Sequence, residues 1–326
     1  MKALVLEAAN RLVLKDYPKP VACKGEVLVK TKFATICTSD INDIEHNPFG
    51  IELPMIMGHE GAGIIEAVGD GVTDFAVGDE IAAHPVMPCY TCVSCKRGLS
   101  HLCDDMIHLG INHGGVFAEY FTIRADRIRK KPANISFAAA TLMEPVCVCL
   151  EAIERANVTT GSNTLVIGDG PFGIMIANIC QELYPQNKII ISGTSDFKLS
   201  HAKNAEKINI NKNKITFDDI DSAIVCAGTA GALDTAIEVC RSRGTICMFS
   251  AIHEKVPVDM FRVHVKELSI NGSCNDMDYL DDAIDILSRG KIENVITHEL
   301  PFDEYKRAFE LAADKSGEVL KVSMIL

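Results

Sequence analysis

Through residues 1 to about 140, apolar positions recur in short runs cut by Gly, Pro and Asp, the pattern of many short β-strands. Runs at 2–6, 26–33, 63–68 and 80–83 are of this kind, and Gly69-Asp70-Gly71 and Gly78-Asp79 mark turns between them. They predict an all-β domain, a distorted barrel whose loops carry ligands. From about 141 to 275 the pattern changes to alternating strands and helices. Strands are expected at 163–167, 188–192, 222–227, 244–250 and 266–272, and helices at 172–183, 197–207 and 231–242. Such alternation predicts a doubly wound parallel sheet with helices on both faces, a Rossmann-type α/β domain. Helices at 279–288 and 302–313 and a strand at 318–324 return to a mixed pattern. The expected division is therefore residues 1–141 with 276–326 in one domain and 142–275 in the other. No internal repeat or low-complexity tract interrupts it.

A length of 326 residues suits two domains, and 48% hydrophobic with 23% charged residues is an ordinary globular composition. The formal charge of −12 argues against a nucleic-acid partner, which needs a basic face. No apolar stretch approaches the ~18 residues of a membrane span, and the N-terminus lacks the pattern of a secretory signal. Thirteen cysteines, an odd number scattered through apolar runs, do not read as a disulfide framework. They fit a reducing cytoplasm in which most thiols are inert and a few hold metal.

Four of them stand apart. Cys89, Cys92, Cys95 and Cys103 follow the spacing Cys-x2-Cys-x2-Cys-x7-Cys in a loop carrying Pro88, Lys96, Arg97 and Gly98. Core cysteines do not line up three residues apart in such a loop, whereas four thiolates with no open position describe a structural zinc site. A second motif follows the expected strand at 163–167: Gly168-Asp169-Gly170-Pro171-Phe172-Gly173 opens a helix. In that context Gly-x-Gly-x-x-Gly is a dinucleotide fingerprint, with the pyrophosphate at the helix N-terminus. The next strand ends in Gly193-Thr194-Ser195-Asp196, with Lys198 nearby. The tip lacks the usual acid, so hydroxyls, N–H groups and one cation favour a 2′-phosphate, and the expectation leans slightly to NADP over NAD. Asp196 is the rival and would serve NAD if the turn were longer.

Cys37-Thr-Ser39-Asp40, Gly58-His59-Glu60-Gly61 and Met143-Glu144-Pro145 add potential zinc ligands. Singly each is weak. Together with Gly63, Val68, Gly71, Gly78-Asp79, the four-cysteine lobe and Gly115-x-Phe-Ala-Glu-Tyr120, they make the whole chain resemble the zinc-containing medium-chain alcohol and polyol dehydrogenases. Glu144-Pro145 is similar to the branch with sorbitol, galactitol-phosphate and threonine dehydrogenases. The resemblance implies a GroES-like catalytic domain and two zincs per subunit. It also implies hydride transfer between a secondary alcohol (a polyol, sugar alcohol or its phosphate) and NAD(P). Cys37, His59 and either Glu60 or Glu144 would hold the catalytic zinc, one carboxylate acting through a water. Ser39 would pass on the hydroxyl proton, and the nicotinamide would lie in a cleft between domains. Homodimers or homotetramers, joined near 266–272, are implied as well. Alternatives are an L-threonine 3-dehydrogenase-like enzyme or a non-catalytic cofactor-binding protein of the same fold. The zinc-free quinone reductase type lacks both the lobe and the Cys37/His59 pair.

Three departures bear on the substrate. Asn42 stands where many members have a relay histidine; His46 is the alternative for that role, although it reads more readily as a surface residue. Ser273-Cys-Asn275-Asp276 replaces the Arg-Tyr pair of sorbitol dehydrogenases, which puts sorbitol itself in doubt. Little chain remains between 207 and 222, so the cofactor domain is expected to be trimmed. Phe49, Glu151, Asn275 and Asp276 are candidate pocket residues.

Overall fold

The structure is a computed structural model that describes residues 1–252, 255–314 and 317–326. It divides into two compact units, Met1–Pro145 with Met277–Leu326, and Val146–Asp276.

The first unit is built on a seven-stranded sheet. Its centre runs in the order Glu60–Val68, Glu26–Thr35, Lys321–Ile325, the last strand arriving from the C-terminus to pair antiparallel with Glu26–Thr35. Apolar side chains of alternate strand positions, Val27, Val29, Ile65 and Val322 among them, meet Phe117 and Phe121 in the core. Residues 1 to about 140 are not all-β, contrary to the residue pattern, because helix Thr38–His46 lies among the strands; helices Leu280–Ser288 and Tyr305–Ala313 of the same unit fall where they are expected. Helix Thr38–His46 was hidden because Ile41 and Ile44 are the apolar residues among its nine, too few to betray a helical period although both pack on the core.

The second unit is a six-stranded sheet in the order Glu206–Asn209, Lys188–Gly193, Asn163–Ile167, Ile220–Val225, Cys240–Met248, Ser269–Gly272. Every pairing in it is parallel. The near-continuous apolar runs of the inner strands are what a sheet covered on both faces requires. One expected element is corrected. The helix foreseen at 197–207 stops at Ser200, and Asn204 takes a left-handed φ of 59°. Glu206–Asn209 then forms the edge strand, so the shortened stretch has lost its following helix and kept its strand.

Candidate active site

Cys37 closes the strand Glu26–Thr35 and caps the helix Thr38–His46. Its backbone N–H donates to Asp40 Oδ2 at 2.8 Å, completing a capping box. The other oxygen of the same carboxylate lies 3.1 Å from His59 Nδ1. Asp40, 1% exposed, thus orients the cysteine and the histidine at once. His59 follows Gly58, whose φ is 93° and on which the Phe117 ring lies so closely that an added Cβ would fall 2.5 Å from it. Burial opposes charge on His59, but Asp40 and Cys37 outweigh it and hold its pKa well above the ordinary value.

The Sγ of Cys37, a ring nitrogen of His59 and a carboxylate oxygen of Glu60 lie within 4.8 Å of one another, all three residues buried. Thiol, imidazole and carboxylate are the donor set of a catalytic zinc site, so these residues fit that ion. Ser39 Oγ sits 3.5 Å from His59 Nε2. Glu144 lies in the first turn of helix Met143–Arg155, outside this three-residue set, and its charge acts on Lys321. Lys321, which sequence reasoning missed, places its ammonium 2.6 and 2.5 Å from the two oxygens of Glu60. The Thr35 hydroxyl also donates to Glu60. The strand order explains the meeting: Thr35 pairs with Glu60 on one side and with Ser323 on the other.

His108 was also missed. Its ring packs edge-on against His59 with centroids 5.7 Å apart. Nδ1 lies 2.7 Å from the Leu109 carbonyl, to which it donates in the neutral tautomer that leaves Nε2 as the other nitrogen. Desolvation, reinforced by His59, pushes the pKa of His108 down to about 3. His46 is exposed at the end of its helix, beside Glu45, and takes no part. Phe49 is 67% exposed, whereas Glu151 and Asp276 are buried in the second unit.

The sulfurs of Cys89, Cys92, Cys95 and Cys103 likewise lie within 4.8 Å of one another. Backbone N–H groups already point at them: Cys89 to Cys103 Sγ at 3.2 Å, Cys92 to Cys89 Sγ at 3.3 Å, Cys95 to Cys92 Sγ at 3.4 Å. The donors at Cys89, with Thr91 the largest contributor, push its pKa down to about 6. Four converging sulfurs with N–H support fit a closed tetrahedral zinc. None of the described cysteines forms a disulfide.

In the second unit the glycine-rich turn behaves as its motif requires. A Cβ on Gly173 would fall 2.0 Å from the Gly168 carbonyl, so helix and strand approach as closely as only glycine allows. Gly170 caps helix Pro171–Leu183, with Pro171 at its first position and open space where a Cβ would go. Phe172 packs on Phe249, centroids 5.1 Å apart. The open cradle at a helix N-terminus fits a pyrophosphate. At the tip of Lys188–Gly193 the arrangement departs from expectation. The N–H groups of Thr194 and Ser195 both donate to Asp169 Oδ2 at 2.7 Å. Ser195 caps helix Asp196–Ser200 through the N–H of Lys198. Asp196 is bound instead by Asn209 and Lys212.

Residues 23–133 match the model of the alcohol dehydrogenase GroES-like domain. The chain is 30% identical to D-xylulose reductase A of Aspergillus oryzae, over 98% of this chain and 95% of that protein. It is 28% identical to sorbitol dehydrogenase of Bombyx mori, over 98% of this chain and 97% of that one. Among solved structures, an alcohol dehydrogenase of Escherichia coli CFT073 in complex with NADH is similar at a TM-score of 0.89 and 28% identity. That likeness covers 100% of this chain and 99% of the other.

Proposed function

The chain belongs to the zinc-containing medium-chain alcohol and polyol dehydrogenases, and from that premise we propose how its own residues divide the reaction. It is a zinc-dependent oxidoreductase that moves a hydride between a secondary alcohol, a polyol or sugar alcohol, and NAD(P). Zinc supplies the Lewis acid that acidifies the alcohol hydroxyl, and NAD(P) supplies the hydride acceptor.

Cys37 and His59 hold the catalytic zinc, with Glu60 as the third donor of the buried cluster. Asp40 fixes the first two in place, one oxygen on each. Lys321 balances the charge of Glu60, and Glu144 is the second carboxylate at the metal's disposal. Ser39, with its hydroxyl near His59 Nε2, would relay the proton released by the substrate hydroxyl, accepting it as it gives up its own toward solvent. Asn42 cannot titrate and carries no proton further. His108 offers Nε2 to a further hydroxyl of a polyol, since Nδ1 is engaged by Leu109. A second zinc per subunit is held by Cys89, Cys92, Cys95 and Cys103 and stabilises the lobe without reacting.

Gly168, Gly170, Pro171, Phe172 and Gly173 receive the dinucleotide. The expectation of NADP drew on Thr194, Ser195 and Lys198. Against it stands Asp169, which engages the N–H groups of Thr194 and Ser195 that a 2′-phosphate would use. A homodimer or homotetramer is supported by exposed Met260, Phe261 and Val265 beside the edge strand Ser269–Gly272. No helix among the described residues is long and apolar enough to cross a membrane. With thirteen cysteines and no described disulfide, the cytoplasm is the proposed site of action.

The observation that carries this reading is the buried convergence of Cys37, His59 and Glu60 on one point, with Asp40 behind two of them. The test is zinc content per subunit together with NAD and NADP reduction on polyols and L-threonine. Two zincs, with one of them and all turnover lost in Cys37→Ser, are expected. One zinc and no turnover with either nucleotide would leave a cofactor-binding protein of the same fold.

A further inference from the structure

The strand Lys188–Gly193 ends in glycine where a dinucleotide site that selects NAD carries Asp or Glu for the ribose 2′-hydroxyl. The missing side chain has left room, and the room is filled. An ideal Cβ on Gly193 would fall 2.3 Å from both Cβ and Cγ of Asp169, and 2.4 Å from its Oδ2. The carboxylate of the glycine-rich loop therefore stands in the space where a tip side chain would begin. It is anchored there by two N–H donors, from Thr194 and Ser195, each at 2.7 Å.

We infer that Asp169 performs, from the glycine-rich loop, the task that a strand-tip acid performs in NAD sites, and that this chain selects NAD against NADP. The inference rests on the dehydrogenase reading above and names which nucleotide that same site takes. Two physical effects act together. The carboxylate is an acceptor at the place where the adenosine ribose presents its hydroxyls. It also puts a negative charge, with its two N–H donors already spent, where a 2′-phosphate would need donors and cations. The other local acid does not compete, because Asp196 is tied to Asn209 and Lys212. Gly193 and Asp169 form a complementary pair: a side chain at 193 requires the one at 169 to leave.

The experiment is titration of NADH and NADPH binding to the intact protein, read by the nicotinamide fluorescence, so that no turnover is needed. A hydrogen bond to a charged group is worth about tenfold or more in affinity, so NADH should bind at least about tenfold tighter than NADPH. Asp169→Asn keeps an oxygen for the two N–H groups and removes the charge, and should bring the two affinities to within about threefold of each other. Asp169→Gly combined with Gly193→Asp moves the acid from loop to tip and should restore the preference. NADPH bound as tightly as NADH by the unmodified protein would overturn the inference. So would an unchanged ratio in folded Asp169→Asn, which would reduce the acid to a cap on the turn. If Asp169→Asn does not fold, the unmodified ratio and the double variant still decide. Failure to bind either nucleotide would bring down the dehydrogenase reading itself, a different outcome from binding both with the wrong preference.

Discussion

Replacing Lys321 by methionine removes one charge from a pair that has almost no contact with water. Glu60 is 0% exposed and Lys321 1%. Both carboxylate oxygens lie within 2.6 Å of the ammonium, and among the described residues the Thr35 hydroxyl is the other side-chain donor to them. Breaking a buried pair from one side costs roughly 3–5 kcal/mol, because the remaining charge is left without compensation. With a urea slope of about 2–3 kcal/mol/M, the unfolding midpoint should fall by roughly 1–2 M. The chain has no tryptophan, so far-UV circular dichroism is the suitable probe. Lys321→Met with Glu60→Gln removes both charges and keeps the amide within reach of Thr35. That double variant should recover to within about 1 kcal/mol of the original, since a buried ion pair is worth little over a neutral replacement. Comparison under zinc-loaded and chelator-treated conditions adds a second expectation. The loss in Lys321→Met should be smaller with zinc, whose charge takes over part of the ammonium's role beside Glu60. A single variant losing under about 1 kcal/mol, or a double variant as unstable as the single one, would refute the account of Glu60 as a buried charge held by Lys321.

Gly173→Ala places a Cβ against the Gly168 carbonyl, and the backbone must shift to admit it. It should destabilise the second unit by about 1–3 kcal/mol and abolish nucleotide binding, measured by thermal melting and by NADH fluorescence. Asp43, 4% exposed, has one carboxylate oxygen with no hydrogen bond, and burial with the neighbouring Asp40 pushes its pKa up to about 6. The folded chain therefore binds this proton more tightly than the unfolded chain does. Its contribution is present at pH below the ordinary value of 3.8 and is lost as pH rises through about 6. Asp43→Asn should melt higher than the original protein at pH 8 and no higher at pH 4.

Short-range signals carried much of this protein. The four-cysteine lobe and the strand–Gly-x-Gly-x-x-Gly–helix unit lie in single stretches of chain, and their spacing alone constrains the chemistry they can perform. Asn163–Ile167 is legible for the same reason, since the adjacent apolar residues Leu165, Val166 and Ile167 need cover on both faces and announce a buried parallel strand. The helix foreseen at 197–207 failed where local pattern is weakest: an edge strand of four residues, Glu206–Asn209, exists only because Lys188–Gly193 lies beside it. Helix Thr38–His46, polar along most of its length, is held by the Cys37–Asp40 box together with Ile41 and Ile44, which pack on the core.

The residues that tune the sites were decided elsewhere. Lys321 is a single lysine in an apolar run, 261 positions from Glu60, and reads as a surface interruption until the C-terminal strand is laid against Glu26–Thr35. His108 gains its meaning from the ring of His59, and Asp169 from the absence of a side chain at Gly193. Sequence specifies which groups can ligate, donate or turn, because those capacities belong to the residue and its immediate neighbours. Which charge is buried against which, and which empty space another side chain enters, depends on strands brought together across the whole chain, and that is settled only when the chain packs.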